Sequence, residues 1–442
     1  MKPGIRALLA VLVVVGLQVS GCLDVDGARQ KFCEDNPAQC DGGAGKPDGG
    51  GDAGQDGGPD GGPDGGPDGG PDGGPDGGPD GGPPDAGGDG GSLESGWHSM
   101  ERMQESRAFH TATRLNDGRV LVVGGVSANW NAAVASTEIY EPKTNKWTSA
   151  GTLPEPRARH TATLLKSGKV LVVGGHDASG TELTKVLEYD PTGSGSWSVV
   201  GALSQGRFNH DAVLLTSTSS GEVLVMGGGV KGGADGLTSA ELYNPSSRGW
   251  TSVSSGTLEK GREGVVAVEM SGNRVLAVGG FPSGLRTAEV YQRSLGDWSL
   301  VNGTAAQNRV GHTVTRLAGG DILVAGADLN NNTYGDSTEL FSETSLTWRS
   351  AGTLSEPRAY FTATRLDSGD VLVTGGSRGE NQSLKVVQLY RPTGGGWTAG
   401  PPMTVERAFH RATLLDSGQV LVTGGFRNTE PYVLDSVELY VP

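Results

Sequence analysis

The chain has 442 residues, of which 76 are Gly and 23 Pro, with 6 % aromatics and a formal net charge of −15. Glycine and proline together stand well above the roughly 12 % of average sequences, and the negative charge excludes a basic nucleic-acid footprint for the chain as a whole. A single apolar run excludes a polytopic membrane protein, and 3 Cys exclude a disulfide-dense scaffold.

The acidity is local. Residues 1–96 carry 17 Asp and Glu against 5 Lys and Arg, whereas 97–442 carry 33 against 30. The acidic isoelectric point therefore describes the N-terminal region and no binding surface. Residues 97–442 are long enough to bury a large core.

Lys2 and Arg6 precede an apolar stretch, Ala7 to Val19, of 13 residues. A helix needs about 20 residues to cross a bilayer, so this one reads as a secretory signal. It ends in Val19-Ser20-Gly21-Cys22, which resembles the lipobox of bacterial lipoproteins. The resemblance implies a signal peptide over 1–21, cleavage before Cys22, and acylation of its thiol, palmitate included. Several acyl chains give the firm anchoring that one chain does not. Leu23, rather than Asp, follows Cys22, which in the best-known sorting rule favours the outer membrane. The lipidated segment 22–40 holds Cys33 and Cys40, expected to form a small-loop disulfide in a compartment that permits one. Two thiols alone make a poor metal site.

Residues 41–96 are the linker. Pro-Asp-Gly-Gly occurs at Pro47 and then six times in register from Pro59 to Gly82. The period of four is not the three of collagen, and nothing here can bury a core, so the segment is expected to be a disordered tether. As a Gly-rich coil it spans about 40 Å root-mean-square.

From Trp97 onward the chain repeats. The clearest unit runs Arg107-Ala-Phe-His-Thr-Ala-Thr-Arg-Leu, then Arg119-Val-Leu-Val-Val-Gly-Gly125, then Glu138-Ile-Tyr140, then Trp147. Its first residue recurs at Arg157, Arg207, Arg262, Arg309, Arg358 and Arg407, in steps of 50, 50, 55, 47, 49 and 49. The diglycine recurs in every unit but the fifth, where it decays to Gly326-Ala327. Each unit reads as four strands: one around His110–Leu115, a continuous aliphatic run, a third stopped by Pro142, and a fourth from Trp147. No segment holds a 3.6-residue period, so helix is expected to be scarce. Diglycine, Tyr and Trp recurring in this order resemble the kelch repeat of β-propellers.

Seven Arg-led units and seven fourth-strand Trp residues, Trp97 to Trp397, set the blade count. The chain opens on a lone fourth strand at Trp97 and closes on a third strand at Val437–Tyr440. The expected fold is all-β: a seven-bladed kelch-type propeller over 97–442 whose last blade is completed by the N-terminal strand. Closure of this kind removes two unpaired edges.

Residues 97–442 contain no Cys, which removes the Tyr–Cys cross-link of galactose-oxidase-type copper enzymes. No His-Glu-x-x-His, Gly-x-Ser-x-Gly or phosphate-binding loop is present. The sequence therefore names no catalytic residue, no metal ligand and no cofactor. The seven Arg residues have two readings. They ring the channel mouth as a site for anions, or they are framework tying blade to blade, which suits a residue present in every unit. His110, His160, His210, His312 and His410 follow three positions later, with Val265 and Phe361 in their places, and read as inter-blade packing. The loops after the diglycines carry Trp130, His176, Asp177, Tyr334, Arg378, Arg427 and Tyr432, which suit a protein or carbohydrate surface. In the fourth unit Glu263 beside Arg262 reads as an ion pair or as a general acid or base. The expected function is that of a lipid-anchored, monomeric envelope protein binding a protein or glycan, with no nucleic acid. The alternative is an envelope carbohydrate-active enzyme of mutarotase or lyase type.

Overall fold

The computed structural model describes residues 93–442 except 128–132, 234, 254–256, 283–285, 302–304, 306, 331–332 and 380–381. The signal peptide, Cys22, Cys33, Cys40, the linker up to residue 92, and Trp130 lie outside the described residues.

Among the described residues every regular element is a strand, and seven four-stranded antiparallel sheets form the blades. Blade 1 runs outward from Thr111–Arg114 through Val120–Val123 and Ser136–Glu141 to Lys146–Thr152. The innermost strands neighbour one another around a closed ring, blade 7 against blade 1 included. The aliphatic second strand is buried on both faces because each face belongs to a different interface. Val120 and Val122 pack toward blade 7 with Leu421 and Leu439, whereas Leu121 and Val123 pack toward blade 2 with Val170 and Val172.

Blade 7 takes its outermost strand from the other end of the chain. Gly96–Met100 pairs antiparallel with Val437–Val441, placing Trp97 opposite Tyr440. Their rings lie 5.1 Å apart, against 5.0 Å for Tyr140 and Trp147 in blade 1. The indole Nε1 of Trp97 donates to Pro401 O at 2.8 Å. The closing strand begins at Gly96, one residue before the expected boundary.

The diglycines bend the chain off the second strand. In six blades the second glycine has φ between 91° and 106°, a conformation costly to any residue with a Cβ. Blade 5 has Ala327 there and takes another route. Its second and third strands run on as Ile322–Asn330 and Thr333–Phe341, with a register shift between Ala325 and Ala327.

Candidate functional site at the channel mouth

The ring of seven Arg residues is not a ligand surface. Arg107, Arg157, Arg207, Arg262, Arg309, Arg358 and Arg407 are each at most 1 % exposed. Each donates through Nη1 to the carbonyl of its own blade's first diglycine residue, as Arg407 does to Gly424 at 2.7 Å. A second Nη1 bond reaches a carbonyl just before or at the start of the third strand, or within the lengthened third strand of blade 5. In five blades Nη2 also meets a buried Glu from the repeated Glu-x-Tyr or Glu-x-Phe: Glu138, Glu241, Glu289, Glu339 and Glu438. Arg358 meets Gln388 instead. The guanidinium fork thus staples the crossing between blades to the turn after the second strand. With its donors turned inward, it offers no fork to solvent.

The His series packs as expected. A Cβ on Gly124, Gly174, Gly279, Gly375 or Gly424 would press on the ring of the His that follows in the next blade, and Val265 and Phe361 fill the same place over Gly227 and Gly326. His160 Nε2 bonds Thr111 Oγ1 at 3.0 Å and His210 Nε2 bonds Thr161 Oγ1 at 3.0 Å, each linking neighbouring blades. Burial lowers the pKa of all five, to about 3 for His210 and His312. Glu263 does not pair with Arg262, whose carboxylate partner is Glu289. It accepts from Asn209 Nδ2 at 2.8 Å.

The loop residues serve their own loops. Asp177 Oδ1 accepts from the amides of Ser179 and Thr181, and His176 lies edge-on to Phe208 at 5.8 Å. Arg378 pairs with Glu356 at 2.8 Å. Arg427 donates to the carbonyls of Pro431 and Glu430, and Tyr432 stacks on Phe426. Tyr334 stands opposite Asp328 in the extended hairpin of blade 5. Between the loops of blades 6 and 7, Ser383 Oγ donates to Asn428 Oδ1 at 2.8 Å.

What does converge is a collar that the sequence reading passed over. Two positions after each framework Arg stand Phe109, Arg159, Asn209, Gly264, Gly311, Tyr360 and Phe409, all with φ between 49° and 71°. Six of the seven links between them are backbone hydrogen bonds from the amide of one blade to the carbonyl of a neighbour, such as Asn209 N to Arg159 O at 3.1 Å. Framework burial holds the left-handed backbone, and that backbone aims each side chain over the channel. On one side the rings form a continuous arc. Arg159 lies over Phe109 at 4.6 Å, Phe109 meets Phe409 at 4.3 Å, and Phe409 stacks on Tyr360 at 4.5 Å. On the other side stand Gly264 and Gly311.

Below the collar is a cavity of about 310 Å³. Asp211 and Arg411 line it, at the position where the other blades have Thr111, Thr161, Val266, Thr313 and Thr362. Burial pushes the Asp211 carboxyl up to about 6, opposed by amides of Ala267 and Ala212 and by Arg411. Burial lowers the pKa of Arg411, and Asp211 opposes this. Lining the units up by their framework Arg exposes both residues as the only charges at that position, a signal present in the sequence. Among the described residues no group of three His, Cys, Asp or Glu is arranged to hold a metal ion, and no helix is long and apolar enough to cross a membrane.

Residues 109–302, the first four blades, match the KLHDC2/KLHL20/DRC7 Kelch-repeats domain. No curated protein matches the chain in sequence. Among solved structures it is similar to a fungal alcohol oxidase of the AA5 family in complex with copper, at a TM-score of 0.65 and 17 % identity, over 79 % of this chain and 76 % of that one. Likeness at that identity concerns the fold, which is a kelch-type seven-bladed propeller.

Proposed function

We propose that the chain is a lipid-anchored binding protein of the bacterial envelope whose ligand, a protein or a glycan, enters the cavity at the channel mouth. One observation carries the reading: the collar is regular in backbone and irregular in side chain, so seven equivalent positions make one asymmetric pocket. A framework needs only the first property. Recognition needs the second. The kelch-type propeller supports a binding scaffold at this coarse level, and the Cys22 lipobox with Leu23 after it and the Pro-Asp-Gly-Gly linker support presentation at the outer membrane.

A screen of envelope glycans and secreted proteins against the full-length protein tests this, with Asn209→Phe as the blocked control. Phe is the residue that the collar already carries at a similar φ in blades 1 and 7, so the change narrows the mouth in a backbone conformation the collar holds elsewhere, at the loss of the Asn209–Glu263 bond. Loss of capture in the variant supports the reading; equal capture by both proteins places the ligand elsewhere. Cys22→Ser is expected to release the protein from membranes or leave it unprocessed, and a mature, membrane-bound variant contradicts the anchor.

Asp211 favours a second reading, the envelope carbohydrate-active enzyme. A carboxyl with a pKa of about 6 inside a cavity is poised for acid–base work near neutral pH. Conversion of a captured glycan in molar excess over protein, abolished by Asp211→Asn, supports the enzyme. Retention without turnover supports the binding protein.

A further inference from the structure

We infer that the channel-mouth cavity takes a compact carboxylate-bearing group of sugar-acid type, anchored on the Arg411 guanidinium with Arg159 as the second cation. The inference rests on the binding reading above and names its ligand class.

Arg411 differs from the seven framework residues in what its fork does. It spends Nε on His110 O at 2.7 Å, and among the described residues Nη1 and Nη2 have no protein partner. Arg159 rests on the Phe109 ring and makes no ion pair with the described carboxylates. The acid that shares the cavity, Asp211, is occupied by two amides, Ala267 N at 2.6 Å and Ala212 N at 2.8 Å, and forms no ion pair with Arg411. Two cations thus face a pocket with low-dielectric walls, which focuses their field on an entering anion. A planar fork with two open donors matches a carboxylate bidentately.

Two further observations narrow the class. Collar amides are largely paired with one another, so the mouth presents little open backbone to which an extended peptide can add as a strand. The volume of about 310 Å³ admits a compact end group rather than a lying chain. Asp211 stands on blade 3 and Arg411 on blade 7, across the ring from each other. A bare anion gains nothing from the Asp211 side. A ligand with a carboxylate at one end and hydroxyl donors at the other is matched on both.

Titration calorimetry of the full-length protein with D-galacturonate, D-galactose and N-acetylglycine tests this. Galacturonate is expected to bind, galactose to bind at least tenfold more weakly, and added salt to weaken galacturonate binding. Arg411→Gln is expected to lower galacturonate affinity at least tenfold. Should that variant fail to melt cooperatively, Arg159→Gln, at the partly exposed mouth, is expected to lower it several-fold and decides in its place. Equal affinity for galactose and galacturonate overturns the inference, as does wild-type affinity in both variants. Preference for N-acetylglycine also overturns it and makes a peptide terminus the occupant. If galacturonate fails to bind while Asn209→Phe still abolishes capture of a screened ligand, the sugar-acid class falls and the binding reading stands.

Discussion

Each framework Arg is a buried cation whose desolvation is offset by two carbonyls and, in five blades, by a carboxylate. Blade 2 breaks the pattern in a way that explains itself. In blades 1, 3, 4, 6 and 7 the Glu or Gln also accepts the amide three positions before the Arg, as Glu289 accepts from Glu259 N at 2.7 Å and Glu438 from Thr404 N at 2.7 Å. Blade 2 has Pro154 at that point, with no amide to offer, and Leu187 where the acid would stand. Donor and acceptor are missing together. Arg157 is left with the carbonyls of Gly174 and Lys185, and burial lowers its pKa to about 10. Replacing a paired Arg strands its partner: Arg262→Met leaves Glu289 buried and uncompensated, an expected loss of about 3–5 kcal/mol. Arg157→Met strands no charge: it leaves two carbonyls without that donor, about 1–3 kcal/mol each, a loss that Arg262→Met shares on top of its stranded carboxylate. Chemical denaturation of the two variants measures the difference, and equal losses would show that the carboxylates contribute nothing. The repeating Arg was legible in the sequence, and so was the repeating Glu; their pairing was not, because they stand 27 to 34 residues apart and meet only across a blade.

At the level of strands, legibility followed from each strand having its own marker. The aliphatic run, the diglycine, the Glu-x-Tyr end and the Trp start are distinct, so four strands per unit and the shared seventh blade could be counted before being seen. Positions without a marker were lost. The collar is set by positive φ at residues as unlike as Phe109, Arg159 and Gly264, a backbone property that no side-chain pattern reports. In blade 5 the missing second glycine, Ala327, was visible in the sequence, but the longer hairpin that accompanies it was not read from it. Closure itself makes a quantitative claim. If Gly96–Met100 serves blade 7 as Lys146–Thr152 serves blade 1, Trp97→Ala should destabilise the ring as Trp147→Ala does, about 3–5 kcal/mol for the buried Trp147 and less for the half-buried Trp97. Both indoles lie against a tyrosine on the paired strand and donate to a carbonyl of the preceding blade, Pro401 O and the Glu101 O that follows the closing strand. Melting of the two variants side by side checks this. A Trp97→Ala protein with wild-type stability would mean that the ring is held by its inner strands without the closing one.

Over the whole molecule, the five His residues make stability a function of pH, and the sign can be worked out. His210 and His312 have pKa values near 3 in the folded protein, and His110, His160 and His410 lie well below the ordinary 6.5. Unfolding returns each to about 6.5. Between those limits the unfolded chain holds more protons, so the His contribution is complete above about pH 6.5 and is lost as the pH falls. Each extra proton is worth about 1.4 kcal/mol per pH unit. Asp211 acts in the opposite sense, because its raised pKa makes the folded state the better proton binder between its ordinary 3.8 and about 6. His176, which burial also lowers, acts in the same sense as the five, so the His residues outweigh Asp211 and stability is expected to fall as the pH drops below 6.5. The fourth blade carries its own control, since Val265 occupies a His position against Gly227. His312→Val copies that arrangement one blade further on. It should remove about one proton from the uptake and flatten the slope of stability against pH by about 1.4 kcal/mol per unit below pH 6. Urea denaturation from pH 4.5 to 7.5 measures both slopes. An unchanged slope would mean that His312 is already protonated in the folded ring, and that acid sensitivity has another source.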